Sequence, residues 1–176
     1  MRRRLTRRLG GLFLITALFG SIPAHSAETG PALSGDEPAR YLAEIKRLYL
    51  TDDERKALLA HCNDLLQTYA LRAGYQVGQP GRQDLLYRLS LGAPGELMVR
   101  EESRAAEGGQ VAVRNTRLSV FGVDPFIRYD CPHNGVSCVL LNPADGSPWL
   151  TILRDHNGAA ELAKALSFLI RNVQKG

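Results

Sequence analysis

The sequence predicts an α+β domain: an N-terminal helical hairpin, an antiparallel β meander of about five to seven strands, and a C-terminal amphipathic helix packed on the sheet. Three observations carry that expectation. Apolar residues recur at three-and-four spacing between residues 36 and 74, alternate between 85 and 154, and return to three-and-four spacing after 157.

The chain begins with a different kind of segment. Arg2, Arg3, Arg4, Arg7 and Arg8 precede an apolar run from Leu9 to Ile22, and no acidic residue occurs before Glu28. Ala24 and Ser26 then supply small side chains, which places a cut between Ser26 and Ala27. This is the three-part plan of a secretory signal. The apolar run of 14 residues is shorter than the ~20 that a bilayer-spanning helix needs. Thr6-Arg7-Arg8 resembles a twin-arginine signal, but Gly10 and Gly11 stand where such a signal prefers bulky apolar residues, so ordinary unfolded export is expected. No cysteine lies near the cut to carry a lipid. Residues 1–26 are read as a signal peptide, 27–35 as a disordered lead-in, and 36–176 as one globular domain of a periplasmic or secreted protein.

Charge follows from that division. The whole chain has 22 basic and 18 acidic residues. Without the five signal arginines, 17 basic residues face 18 acidic ones, so the basic balance belongs to the signal. The mature chain lacks the concentrated basic character that nucleic-acid binding requires, and no nucleic-acid partner is expected. A chain of this length buries about 70% of its unfolded surface and can hold a core without disulfides. No second apolar stretch is long enough to cross a membrane.

Within the domain, Asp36 and Glu37 precede Pro38, which suits a first helical turn, and Tyr41, Ile45, Leu48 and Tyr49 share a face. Thr51-Asp52-Asp53-Glu54 reads as a capping box opening a second helix. Its stripe is Leu58, Cys62, Leu65 and Tyr69, widened by Leu59 and Leu66, with Gly74 as the stop. Leu85, Tyr87 and Leu89 then alternate with Leu86, Arg88 and Ser90, Gly92-Ala93-Pro94-Gly95 turns the chain, and Leu97, Val99 and Glu101 continue. Beyond Glu107-Gly108-Gly109, Val111 and Val113 have the opposite parity to Leu118 and Val120, which predicts a bulge near Asn115-Thr116. Segments 126–131, 137–142 and 148–154 complete the meander, with Asp145-Gly146 turning the last pair. Asn157-Gly158 is positioned to cap a final helix whose apolar face is Leu162, Leu166, Leu169, Ile170 and Val173.

The cysteines offer the sharpest local argument. In Cys131-Pro132-His133-Asn134-Gly135-Val136-Ser137-Cys138, a two-residue turn at Asn134-Gly135 sets Cys131 opposite Cys138. Directly opposed strand residues lie ~4.5–5.5 Å apart at Cα, within disulfide reach. In an oxidising compartment a Cys131–Cys138 disulfide follows. Cys62 is left over, on an apolar helical stripe, as a buried thiol or a partner to another chain.

Chemistry is sparse. No G-x-S-x-G, S-x-x-K, H-E-x-x-H or phosphate-loop pattern occurs, and no cofactor is expected. Arg88, Arg100, Arg114, Arg117 and Arg128 fall on or near strands, where they either form a solvated face or attract an anionic partner. The reading that results is a binding module holding a protein segment or small apolar ligand in a groove between the sheet and the helical hairpin. Two alternatives compete with it. One is a copper or zinc site built from Cys131, His133, Cys138 and Cys62, although metal-ligand spacing is absent. The other is a small hydrolase-like enzyme around His156, which lies between Asp155 and Asn157 where a strand hands over to a helix.

Overall fold

A computed structural model describes residues 36–109 and 111–176; the signal segment, the Ser26–Ala27 cut and the lead-in lie outside the described residues. The fold is α+β, with three α-helices and two antiparallel sheets of three strands each. Helices α1 (Glu37–Leu48) and α2 (Glu54–Thr68) form the N-terminal pair. Strands β1 (Gln83–Leu91), β2 (Glu96–Ala105) and β3 (Val111–Ser119) make the first sheet in that order. Strands β4 (Tyr129–Asp130), β5 (Ser137–Leu141) and β6 (Pro148–Leu153) make the second, and α3 (His156–Gln174) closes the chain.

The expected single meander is therefore two sheets. The physical reason lies in the connections: β3 does not pair with β4, and the backbone bridges that reach both sheets come from the short segment after α2. There Ala70 bridges to Ile152 of β6 while Leu71 bridges to Leu85 of β1. One core serves all elements. Leu58, Cys62 and Leu66 of α2 and Leu162, Leu166, Leu169 and Ile170 of α3 pack with Leu89, Leu97, Val99 and Leu118 of the first sheet and Leu140, Leu150 and Ile152 of the second. The C-terminal helix buries the whole apolar face that its spacing predicts, because a stripe at that period faces a single surface.

Several local expectations shift. The cap of α2 is Asp53, whose carboxylate accepts the Lys56 amide at 3.0 Å, while the Thr51 hydroxyl accepts the Asp53 amide at 3.2 Å. Glu54, freed from a capping box, takes the Asn172 side chain of α3 at 2.9 Å. The second helix ends at Thr68 rather than running to Gly74, because the chain must extend to bridge both sheets. Gly74 lies instead in a 3₁₀ turn, Ala73–Tyr75.

Asp155, not Asn157, caps α3, accepting the Gly158 amide at 2.7 Å. Gly158 is needed for closeness: a Cβ there would stand 2.6 Å from the Tyr69 ring. Strand β3 pairs with β2 in unbroken register, so there is no bulge at Asn115-Thr116. Val111 and Val113 are 40% and 44% exposed on the outer face, whereas Leu118 is buried on the inner one. Their parity difference marks the point where the strand outruns the core.

Candidate functional site

The edge of β1 positions the site. The Gly92 amide bonds the Glu96 carbonyl, and register then assigns the even-numbered residues of β1 to the ladder with β2. Odd-numbered backbone groups point the other way, along an edge that nothing in the sheet covers. Three separate devices close most of it. At Gln83 the buried Gln76 side chain pairs with both backbone groups. At Leu85 the amide donates to the Leu71 carbonyl at 2.8 Å. At Leu89 the Asn63 side chain of α2 acts as a substitute strand, accepting the Leu89 amide at 2.8 Å and donating to its carbonyl at 3.0 Å.

Tyr87 lies between these closures, and by the same alternation its amide and carbonyl face outward. A groove of ≈ 480 Å³ opens there between α2 and β1. Its helical wall is Ala60, Asn63, Asp64, Leu66 and Gln67; its sheet wall is Leu86, Tyr87, Arg88, Arg100 and Glu102, with Arg72 also in the lining. It lies between the helical hairpin and the edge of the sheet, and its lining mixes charged side chains with apolar ones such as Leu66 and Leu86. Burial, and after it the nearby Glu101 charge, pushes the Tyr87 phenol up to about 12. Its hydroxyl oxygen accepts the Thr151 amide at 3.4 Å, so the ring ties the first sheet to β6.

Ion pairs sort the arginines. Arg100 meets Glu102 at 2.9 Å, Arg114 meets Glu101 at 2.8 Å, and Arg72 meets Asp84 at 3.7 Å. Arg88, Arg100 and Arg117 share the outer face of the first sheet by register, while Arg114 points to the opposite face. Arg128 belongs to the second sheet's side and borders Gly146.

A second polar cluster, which the sequence reading did not find, joins the three helices. The His61 ring, buried on α2, has Nε2 3.3 Å from Glu161 and Nδ1 3.3 Å from the Tyr49 hydroxyl, which itself donates to Asp64 at 2.8 Å. The hydrogen bond from His61, stronger in effect than the opposing burial, holds the Glu161 carboxyl below the usual carboxylate range. Lys164 lies 4.3 Å over the Tyr41 ring. The Tyr41 hydroxyl is buried and meets no partner at hydrogen-bond geometry, although Glu161 is close enough for its charge to add to the rise that burial causes in the phenol. The sequence signal for this cluster is faint, since its residues are spread from Tyr41 to Lys164 and only the fold brings them together.

Cys131 and Cys138 stand at disulfide distance, with sulfurs 1.95 Å apart and Cα atoms 4.2 Å apart. Such a pair fits an oxidising compartment. The turn between them differs from expectation: the Gly135 amide bonds the Pro132 carbonyl, so His133 and Asn134 are central, and neither Asn134 nor Gly135 takes a positive φ. The Arg154 guanidinium, donating to the same Pro132 carbonyl at 2.8 Å, helps fix that form.

Cys62 is fully buried, and burial pushes its thiol well up. Among the described residues no group of three or more His, Cys, Asp or Glu side chains is placed to hold a metal ion. Cys62 and His133 therefore do not converge with the cysteine pair. His156 is exposed at the start of α3, and among the described residues no hydrogen bond or ion pair of its side chain is found. No described helix is long and apolar enough to cross a membrane. No protein family, no curated protein and no solved structure matches the chain.

Proposed function

We propose that this is an exported, non-enzymatic interaction module that holds an extended protein segment in the groove between α2 and β1. The observation that carries the reading is the open backbone pair of Tyr87, set between the Leu71 and Asn63 closures of the β1 edge. A peptide unit laid along the groove can bond that pair as a strand would, which is the mode by which exposed sheet edges take segments. Because Gln83, Leu85 and Leu89 are already engaged, a guest in the groove gains the Tyr87 backbone pair and takes the rest of its affinity from side chains. The charged and polar side chains in the lining favour a protein segment over a small apolar ligand, since an apolar guest would strip water from Arg88, Asp64 and Gln67 without replacing their hydrogen bonds.

The test is selection of linear peptides from a random library on the folded chain, followed by binding to a Gln67→Trp variant. Gln67 is exposed on the helical wall, so the indole fills the groove without touching the core. Selected peptides should lose at least about tenfold in affinity, or ~1.4 kcal/mol. Equal binding to the variant would place the interaction elsewhere and end this reading.

A further inference from the structure

We infer that the guest segment is acidic, and that it presents an aspartate or glutamate side chain to Arg88 across from Arg100. This rests on the groove reading above and adds the chemistry of its partner.

Arg88 and Arg100 are directly opposed in the β1–β2 register, on one face of the sheet. Like charges at opposed positions destabilise a sheet, and opposite charges stabilise it. Such an arrangement calls for a compensating anion, and the described residues do not supply one to Arg88. Glu102 lies on the same strand face and is taken by Arg100 at 2.9 Å. Asp84 accepts the Ala73 amide at 2.8 Å and faces Arg72. Asp64 accepts the Tyr49 hydroxyl, and Glu101 is on the other face with Arg114. Among the described residues Arg88 has no carboxylate within ion-pair distance, and its guanidinium is exposed at the groove.

Geometry then selects the ligand group. Arg88 directly follows Tyr87, so a segment bonded to the open backbone pair passes beside the guanidinium. A planar fork of donors matches a carboxylate in two parallel bonds. The groove does not suit a polyanion, because Asp64 and Glu102 line it as well and would repel successive phosphates. One or two acidic side chains can be accommodated where a nucleic-acid strand cannot.

Two readouts test this together. In the peptide selection, sequences that lose affinity on Gln67→Trp should be enriched in Asp or Glu at one position, and replacing that residue by Gln or Asn should weaken binding about tenfold. Arg88→Glu should weaken the same peptides at least as much, while its thermal midpoint without peptide stays at or above that of the unaltered chain, because a glutamate then opposes Arg100. Arg88→Lys should fold equally well and retain part of the affinity. Groove-dependent peptides with no acidic position, or full affinity in Arg88→Glu, would overturn the inference and leave the groove reading intact. Absence of any peptide sensitive to Gln67→Trp would remove both.

Discussion

Asn63→Ala removes the side chain that stands in for a strand at the β1 edge, and the structure fixes what that should cost. Three bonds go: to the Leu89 amide, to the Leu89 carbonyl, and to the Leu59 carbonyl within α2. The Leu59 carbonyl is a helical acceptor and keeps its ladder bond, so the loss falls on Leu89. A half-buried backbone group left without a partner costs about 1–3 kcal/mol, and two groups are exposed to that penalty. Water entering from the adjacent groove recovers part of it. The expected loss is about 2–4 kcal/mol, or ~6–12 °C in thermal midpoint for a domain of this size. Denaturant unfolding supplies the first figure. Hydrogen exchange supplies a local check, because the Leu89 amide should lose protection ahead of its neighbours in β2. Gln67→Ala, on the same helical face with no such bonds, should change stability by less than about 0.5 kcal/mol. If Asn63→Ala were as mild as that control, with Leu89 still protected, the edge-closure argument would be wrong.

Gly158→Ala should lower stability by about 1–3 kcal/mol, since the new methyl enters the space of the Tyr69 ring; an unchanged denaturation midpoint would mean the ring moves freely. Under native conditions Cys62 should resist alkylation, being buried with its thiol pushed up, and intact mass after denaturation without reductant should show one added group, with Cys131 and Cys138 protected. Three added groups would count against the disulfide. Glu161 has a folded pKa held below its ordinary value of 4.5, chiefly by the His61 hydrogen bond. Its contribution to stability is therefore present above pH 4.5 and lost as pH falls from there through the depressed folded value. Glu161→Gln should flatten the acid limb of a stability profile in that window, and an identical limb would show that the carboxylate is not linked to folding.

Helices and the first hairpin were legible because each depends on nearby residues. The periodic stripes of α2 and α3, the turn at Gly92–Gly95 and the pairing of Cys131 with Cys138 all follow from spacing along one or two adjacent elements. What escaped was decided by distant partners. Thr68 ends α2 because Ala70 and Leu71 are drawn to two different strands, and no local signal near Gly74 reveals that. The parity of Val111 and Val113 suggested a bulge only because burial was assumed along all of β3. The chemistry of the groove was not legible either: the alternation put Arg88 and Arg100 on strands, and only their register showed that they stand opposite one another. The His61 cluster needed the packing of α1, α2 and α3 before its members could meet.

The most direct test of the central claim is the backbone amide of Tyr87, followed by heteronuclear NMR while a groove-selected acidic peptide is titrated into the folded domain. The account predicts that the Tyr87 amide and the Arg88 guanidinium shift together and saturate with a common affinity, while the Leu85 and Leu89 amides, already bonded, move little. A peptide that binds tightly yet leaves Tyr87 and Arg88 unmoved would contradict the account.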